Sequence, residues 1–139
     1  LISKIADKKN EKSFNILTSL LKDNDPLVVL DAISALSRFS DPGLIDHFIE
    51  LFKIKNINIR LKALESLKRY SKERRVLDEV VNLMINDRSP SVRIKAAEFI
   101  GKSGDRRMIK VLKKALKNEK DKRVRLAIRS ALKMLEKQK

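Results

Sequence analysis

Six cations recur between residues 106 and 117 with no acid among them: Arg106, Arg107, Lys110, Lys113, Lys114 and Lys117. At 100° per residue of α-helix they fall within one arc of about 120°. Met108, Ile109, Val111, Leu112, Ala115 and Leu116 take the opposite side. Like charges this close repel one another, so the arc is suited to binding an anionic partner. Its chemistry is electrostatic capture of acidic protein segments or phosphate backbones. Arg74 and Arg75 add cations on the preceding polar face, mixed there with Asp78, Glu79 and Asn82. Lys122, Arg125, Arg129 and Lys133 share one side of the last helical segment, away from Val124, Ile128 and Leu132. Solvation is the default for that last set, but Arg125 and Arg129 join the candidate partner contacts.

Other residue types offer less. His47 is the single histidine, and with Asp46 and Glu50 it supplies too few converging ligands for a tetrahedral metal site. Gly101-Lys102-Ser103 imitates the end of a phosphate-binding loop. The glycine required five residues earlier is Ala96, within a helical pattern. One histidine on a polar face and no cysteine leave no nucleophile–base pair. Asp78 and Glu79 sit on polar faces with nothing to raise a carboxyl pKa. The expectation is a protein that is not an enzyme, with no catalytic residues, metal, cofactor or small-molecule substrate.

Charge is unevenly placed along the 139 residues, whose formal net charge is +15. Residues 1–55 hold 8 basic and 8 acidic side chains, whereas residues 102–139 hold 15 and 4, a net +11. Such an asymmetry speaks to partners, not fold. No apolar run reaches the roughly 18 residues of a membrane span. Absence of cysteine removes disulfide and thiolate-metal chemistry and fits a cytoplasmic protein.

The elements that carry these charges come from a repeat. The phrase VRIKAAEFIG at Val92 returns as VVLDAISAL at Val28, IRLKALESL at Ile59 and VRLAIRSAL at Val124, a period of 31 to 33 residues. A fixed period of this length marks stacked supersecondary units. Each unit reads as two helices. The first (A) carries a stripe such as Val92, Ala96, Phe99 and Ile100; the second (B) carries one such as Ile109, Leu112, Ala115 and Leu116. Asp25-Pro26, Asp41-Pro42 and Ser89-Pro90 pair an N-cap side chain with proline at the first helical position. Gly101 reads as the end of the third A helix and Asp105 as the next cap. These signals predict A helices near 26–39, 57–71, 90–102 and 121–136, and B helices near 11–22, 42–53, 73–86 and 105–117. Residues 1–8 read as the tail of a further A helix. No segment alternates with period 2, so the fold is all-α. The chain divides as one array over 1–139, with units 1–22 (partial), 25–53, 56–86, 89–117 and 121–139 (partial). Arg60, Arg93 and Arg125 hold one place in three units, which predicts a structural ladder with each guanidinium on a neighbouring carboxylate or carbonyl. Met134 and Leu135 need cover, found locally, by continuation of the array or by docking at that end.

The run from Asp87 to Ala97, followed by Gly101-Lys102-Ser103-Gly104-Asp105, closely resembles HEAT-like repeats of the phycobilisome-lyase type. Tetratricopeptide and ankyrin signatures are absent. The resemblance implies a right-handed α-α superhelix of antiparallel, armadillo-like helix pairs whose B helices line a concave groove. It places Arg106, Arg107, Lys110, Lys113, Lys114 and Lys117 in that groove and Lys122, Arg125, Arg129 and Lys133 on the convex side. Along the groove, Asp46, His47, Glu50 and Lys53 come first and the strongly basic helix last. Relatives that attach bilins or excise alkylated bases are enzymes, but the glycosylases depend on tryptophan and this chain has none. The expected function is a non-catalytic scaffold holding an acidic protein partner in its basic C-terminal groove. The alternative is nonspecific nucleic-acid binding through the phosphates. Single-strand recognition needs exposed aromatics; Phe14, Phe48, Phe52 and Phe99 read as buried and Tyr70 alone as available.

Overall fold

A computed structural model describes the backbone of residues 2–137 and the side chains of residues 11–137. Within them the chain is helical: α1 (Ile2–Leu20), α2 (Pro26–Leu36), α3 (Leu44–Glu50), α4 (Ile57–Ser66), α5 (Arg74–Asn86), α6 (Pro90–Ser103), α7 (Met108–Asn118) and α8 (Lys122–Glu136). Short 3₁₀ turns at Leu51–Lys53 and Lys68–Tyr70 complete it, and no strand occurs among the described residues. The all-α solenoid class read from the period holds. The residues fall into two compact units, Leu1–Ser66 and Leu67–Lys139.

In the first unit α2 packs against α1 and α4, and α4 also covers α3 and its 3₁₀ extension. Val29, Ala32, Ile33 and Leu36 of α2 meet a core shared with Leu44, Ile45, Phe48, Ile59, Ala63 and Leu64, all buried. Asp25 caps α2 as its type and place predict: its carboxylate accepts from Leu27 N at 2.9 Å, ahead of Pro26. At the other end Ser37 Oγ donates to Ile33 O at 2.9 Å and lies 3.0 Å from Ser66 Oγ of α4. Three details differ from the periodicity. Helix α1 runs unbroken where two segments were expected; Leu1 lies outside the described residues. Asp41 Oδ1 accepts from Gly43 N at 2.8 Å, forming a turn that delays α3 to Leu44. Phe14 is half-buried, its ring edge-on to Phe39 at 5.5 Å between centroids.

In the second unit α6 lies between α5 and α8, while α7 packs on α8 and touches α5. Its core draws on Val76, Leu77, Val80, Val92, Ala96, Ile100, Leu112, Val124, Ile128 and Leu135. Leu135 thus finds local cover, whereas Met134 stays 41% exposed. Gly101 is not the helix end. Helix α6 continues to Ser103, and Gly104 takes the left-handed C-cap at φ 74°, a conformation glycine adopts without a Cβ penalty. Gly101 is glycine for another reason: a Cβ there would lie 2.8 Å from Ala131 Cα and 2.9 Å from its Cβ on α8. Small residues, Gly101 and Ala131, thus let the two helix backbones approach closely at this crossing. Ser89 also departs from its expected capping role, since its hydroxyl pairs with Ser91 Oγ at 2.7 Å. Asp87 holds the turn instead, accepting from Ser89 N at 2.9 Å.

Candidate functional site: a lysine ridge on α7

Two features place the ridge. Asp105 follows the left-handed Gly104 and accepts from Arg107 N at 3.0 Å, so residues 105–107 form a turn and α7 begins only at Met108. The buried stripe of Met108, Leu112 and Ala115 then docks the helix. Lys110, Lys113, Lys114 and Lys117 remain on its outward face, all exposed, and α7 holds no acid. Their i, i+3, i+4, i+7 spacing keeps them within an arc of about 100°. None is in a described ion pair.

The other predicted contacts are not equivalent. Arg106 and Arg107 are exposed but lie in the turn, not on the helix, because the Asp105 turn displaces the helix start. Arg107 is bound as a fork to Asp105, Nε to Oδ1 at 3.0 Å and Nη2 to Oδ2 at 2.7 Å. Arg74 pairs with Asp78 at 3.1 Å, both exposed, and Arg75 is exposed beside it. Arg129 is exposed on α8. Arg125 turns inward: its Nη1 donates to Leu116 O at 2.5 Å and Glu119 O at 2.9 Å. Among the aromatics, Phe48 and Phe99 are buried as expected, while Phe52 and Tyr70 are half-buried. His47 is exposed on α3.

The arginine ladder is structural in all three units. Arg60 Nη1 donates to Ile54 O at 2.9 Å and Lys55 O at 2.7 Å, and Arg93 Nη1 to Asp87 O at 2.7 Å. Arg93 also grips Glu119, Nε to Oε1 at 2.9 Å and Nη2 to Oε2 at 3.3 Å. Sequence reasoning did not single out Glu119, nor Lys72, whose Nζ donates to Ser103 O at 2.6 Å and so caps α6. The partners lie 26 and 31 residues apart along the chain, and no local motif marks either pair.

Three carboxylates around the ridge are held below their usual range. The Arg107 fork lowers Asp105 against a smaller cost of burial. Burial would raise Glu119, but the Arg93 guanidinium and the N–H groups of Asp121 and Lys120 together outweigh it. The matching Arg123 fork takes Asp121 down to about 2. Carboxyls whose pKa is depressed on folding stabilise above their unfolded pKa of about 4. That stabilisation is lost as pH falls through the folded values. The urea midpoint should therefore hold from pH 7 to about 4 and fall between about pH 4 and 2. Asp121→Asn should flatten part of that fall; an unchanged profile would show these forks to be solvated.

Comparison with known proteins places this geometry. The family profile described as HEAT repeats matches residues 1–67 and 45–133. No curated protein matches the chain. Among solved structures, epoxyqueuosine reductase with an epoxyqueuosine-modified tRNA-Tyr stem loop is 36% identical over 56% of this chain and 20% of its own, with TM-score 0.51. Selenomethionine-labelled epoxyqueuosine reductase gives 36% identity, 55% and 20% coverage, and 0.51. Human deoxyhypusine hydroxylase in complex with glycerol is 21% identical over 96% of this chain and 46% of its own, with TM-score 0.78, a likeness of fold. The chain spans about a fifth of the reductase and under half of the hydroxylase. These similar proteins are enzymes, so the expectation that this protein is not an enzyme is corrected. That expectation weighed only nucleophiles and bases within 139 residues. A repeat array of this kind also occurs as a fraction of a longer enzyme.

Proposed function

This chain belongs to the HEAT-repeat family, and from that premise we propose that it serves as a binding scaffold whose α7 lysine ridge holds a polyanion, foremost the phosphate backbone of a structured RNA. One observation carries the reading: Lys110, Lys113, Lys114 and Lys117 project from a single helix face that contains no carboxylate. The reductase crystallised with a tRNA stem loop, 36% identical over 56% of this chain, favours RNA among polyanions. Large exposed hydrophobic residues are aliphatic among the described residues, which suits contact with a duplex backbone better than stacking of unpaired bases. An acidic protein segment is the second reading, on the same lysines. The finer likeness to phycobilisome-lyase units rests on the phrase from Asp87 to Asp105, and a cytoplasmic site on the lack of cysteine. No described helix is long and apolar enough to cross a membrane.

A fluorescent 16-bp RNA duplex titrated from 50 to 300 mM NaCl tests this. Binding should be in the micromolar range, and log K should fall with log salt at a slope of roughly −3, near −0.9 per phosphate for three or four contacts. Changing all four lysines to glutamate should weaken binding at least about tenfold and flatten the slope. Unchanged affinity would remove the ridge from the reading. Displacement of the duplex by polyglutamate at equal charge, but not by a second RNA, would turn it toward an acidic protein.

A further inference from the structure

The polar face of α5 stands beside the lysine ridge, and the repeat shows how the two compare. The buried stripes Val76, Val80 and Leu83 of α5 and Met108, Leu112 and Ala115 of α7 match at an offset of 32 residues. Each ridge lysine therefore has a counterpart facing the same way on α5, which touches α7. Lys110 answers to Asp78, Lys113 to Val81, Lys114 to Asn82 and Lys117 to Ile85. Asn82 and Asn86 are exposed, and Ile85 between them in the sequence is 54% exposed. Asn86 Nδ2 donates to Asn82 Oδ1 at 2.7 Å, and neither side chain is in another described hydrogen bond. That bond ties the two amides together. It leaves donors open on Asn82 Nδ2 and an acceptor open on Asn86 Oδ1.

A lysine ammonium donates but cannot accept, so the ridge alone holds phosphates and does not distinguish ribose from deoxyribose. The amide pair supplies what the ridge lacks, because a ribose 2′-hydroxyl both donates and accepts. Two features favour the sugar over phosphate at this spot. Asn86 closes α5, and the negative end of a helix dipole disfavours phosphate but suits a hydroxyl donor. Ile85 offers the ribose carbons an aliphatic contact that phosphate would not use. The placement of α5 also selects the kind of duplex. It lies alongside α7, at the 8–10 Å typical of packed helices, and does not project, so it cannot enter the major groove of DNA. The wide, shallow minor groove of an A-form duplex displays its 2′-hydroxyls to such a flush surface. We infer that Asn82 and Asn86 read 2′-hydroxyls in the minor groove of a duplex held on α7, so that the site selects RNA over DNA. This rests on the polyanion reading of the lysine ridge.

Three labelled 16-bp duplexes of one sequence test it by fluorescence anisotropy at 50 mM NaCl: RNA, DNA, and 2′-fluoro RNA, which keeps the A form but lacks the hydroxyl. The whole chain should bind RNA about fivefold or more tighter than either of the others, the worth of one or two net hydrogen bonds. Asn82→Ala with Asn86→Ala should bring RNA down to the 2′-fluoro level. The same change should leave DNA and 2′-fluoro affinity, and the salt slope, within about twofold of wild type. Asn82→Gln keeps an amide and should retain part of the preference. Both positions are exposed and alanine favours a helix, so circular dichroism should show the fold intact. Equal binding of RNA and 2′-fluoro RNA by the wild type would overturn the inference and leave the ridge standing. So would a double variant that keeps the preference, or one that loses all three duplexes alike, as a merely structural pair would. No binding of any duplex would overturn the ridge, and this inference with it.

Discussion

Replacing Arg93 with methionine should lower the stability of the second unit by about 3 kcal/mol, read from the urea midpoint. The side chains of Arg93 and Glu119 are 16% and 11% exposed. The fork therefore operates where water screens it poorly, and removing one partner strands the other. The loss extends beyond the ion pair, because Arg93 Nη1 also satisfies Asp87 O at 2.7 Å. Lysine at this position keeps the charge but cannot make two parallel bonds, so Arg93→Lys should recover only part of the loss. Adding Glu119→Gln to Arg93→Met should recover part as well, by removing the stranded charge. Arg74→Ala is the control. Its pair with Asp78 is exposed on both sides, and the expected change is within about 0.5 kcal/mol. An Arg93→Met effect as small as the control's would show that the slot is solvated and structurally idle.

Gly101→Leu should cost the same unit about 3 kcal/mol, the upper end for overpacking a core. The obstruction is the backbone of α8, with Ala131 Cα 2.8 Å from the new Cβ, so no rotamer change relieves it. Helix propensity works the other way: alanine in a helix interior gains about 1 kcal/mol over glycine. Gly101→Ala meets the same obstruction at its Cβ, offset in part by that propensity, so it should be destabilising but less so than leucine. Its own loss measures the close approach, and the difference between the two variants measures the atoms beyond Cβ. Leucine at Lys133, the equivalent position on α8, should be nearly neutral because that position is exposed. Thermal melts of the three variants decide the point. A Gly101→Leu melt matching wild type would mean that α6 and α8 are separated more widely than described.

The fold was legible because buried stripes such as Val92, Ala96 and Ile100 recur with the repeat, so each helix announces both its face and its period. Helix ends were less legible. Gly101 and Gly104 look alike in the sequence, and only the approach of Ala131 shows which is a packing residue and which a cap. The four lysines of α7 could be read from angular spacing alone. Arg106 and Arg107 could not, since the turn over residues 105–107 moves them off the helix without disturbing the pattern. Arg125 illustrates the remaining gap. On a helical wheel it shares a side with Lys122 and Arg129, but its reach lets it turn back to the carbonyls of Leu116 and Glu119. Rotamer choice of this kind depends on acceptors that periodicity does not position.

The arginine slot also has a consequence for how such a chain can change length. Arg60 reaches the carbonyl of Ile54, Arg93 that of Asp87 and Arg125 that of Glu119, each six residues back. The copies themselves begin 31, 33 and 32 residues apart. The segment entering each A helix therefore behaves as a fixed gauge, and insertions or deletions there would pull a guanidinium off its acceptor. Variation in length has been taken up elsewhere in the unit, as in α3, which is only 7 residues before its 3₁₀ turn, against 13 in α5. A graft or a lengthened loop would best be placed outside those six residues.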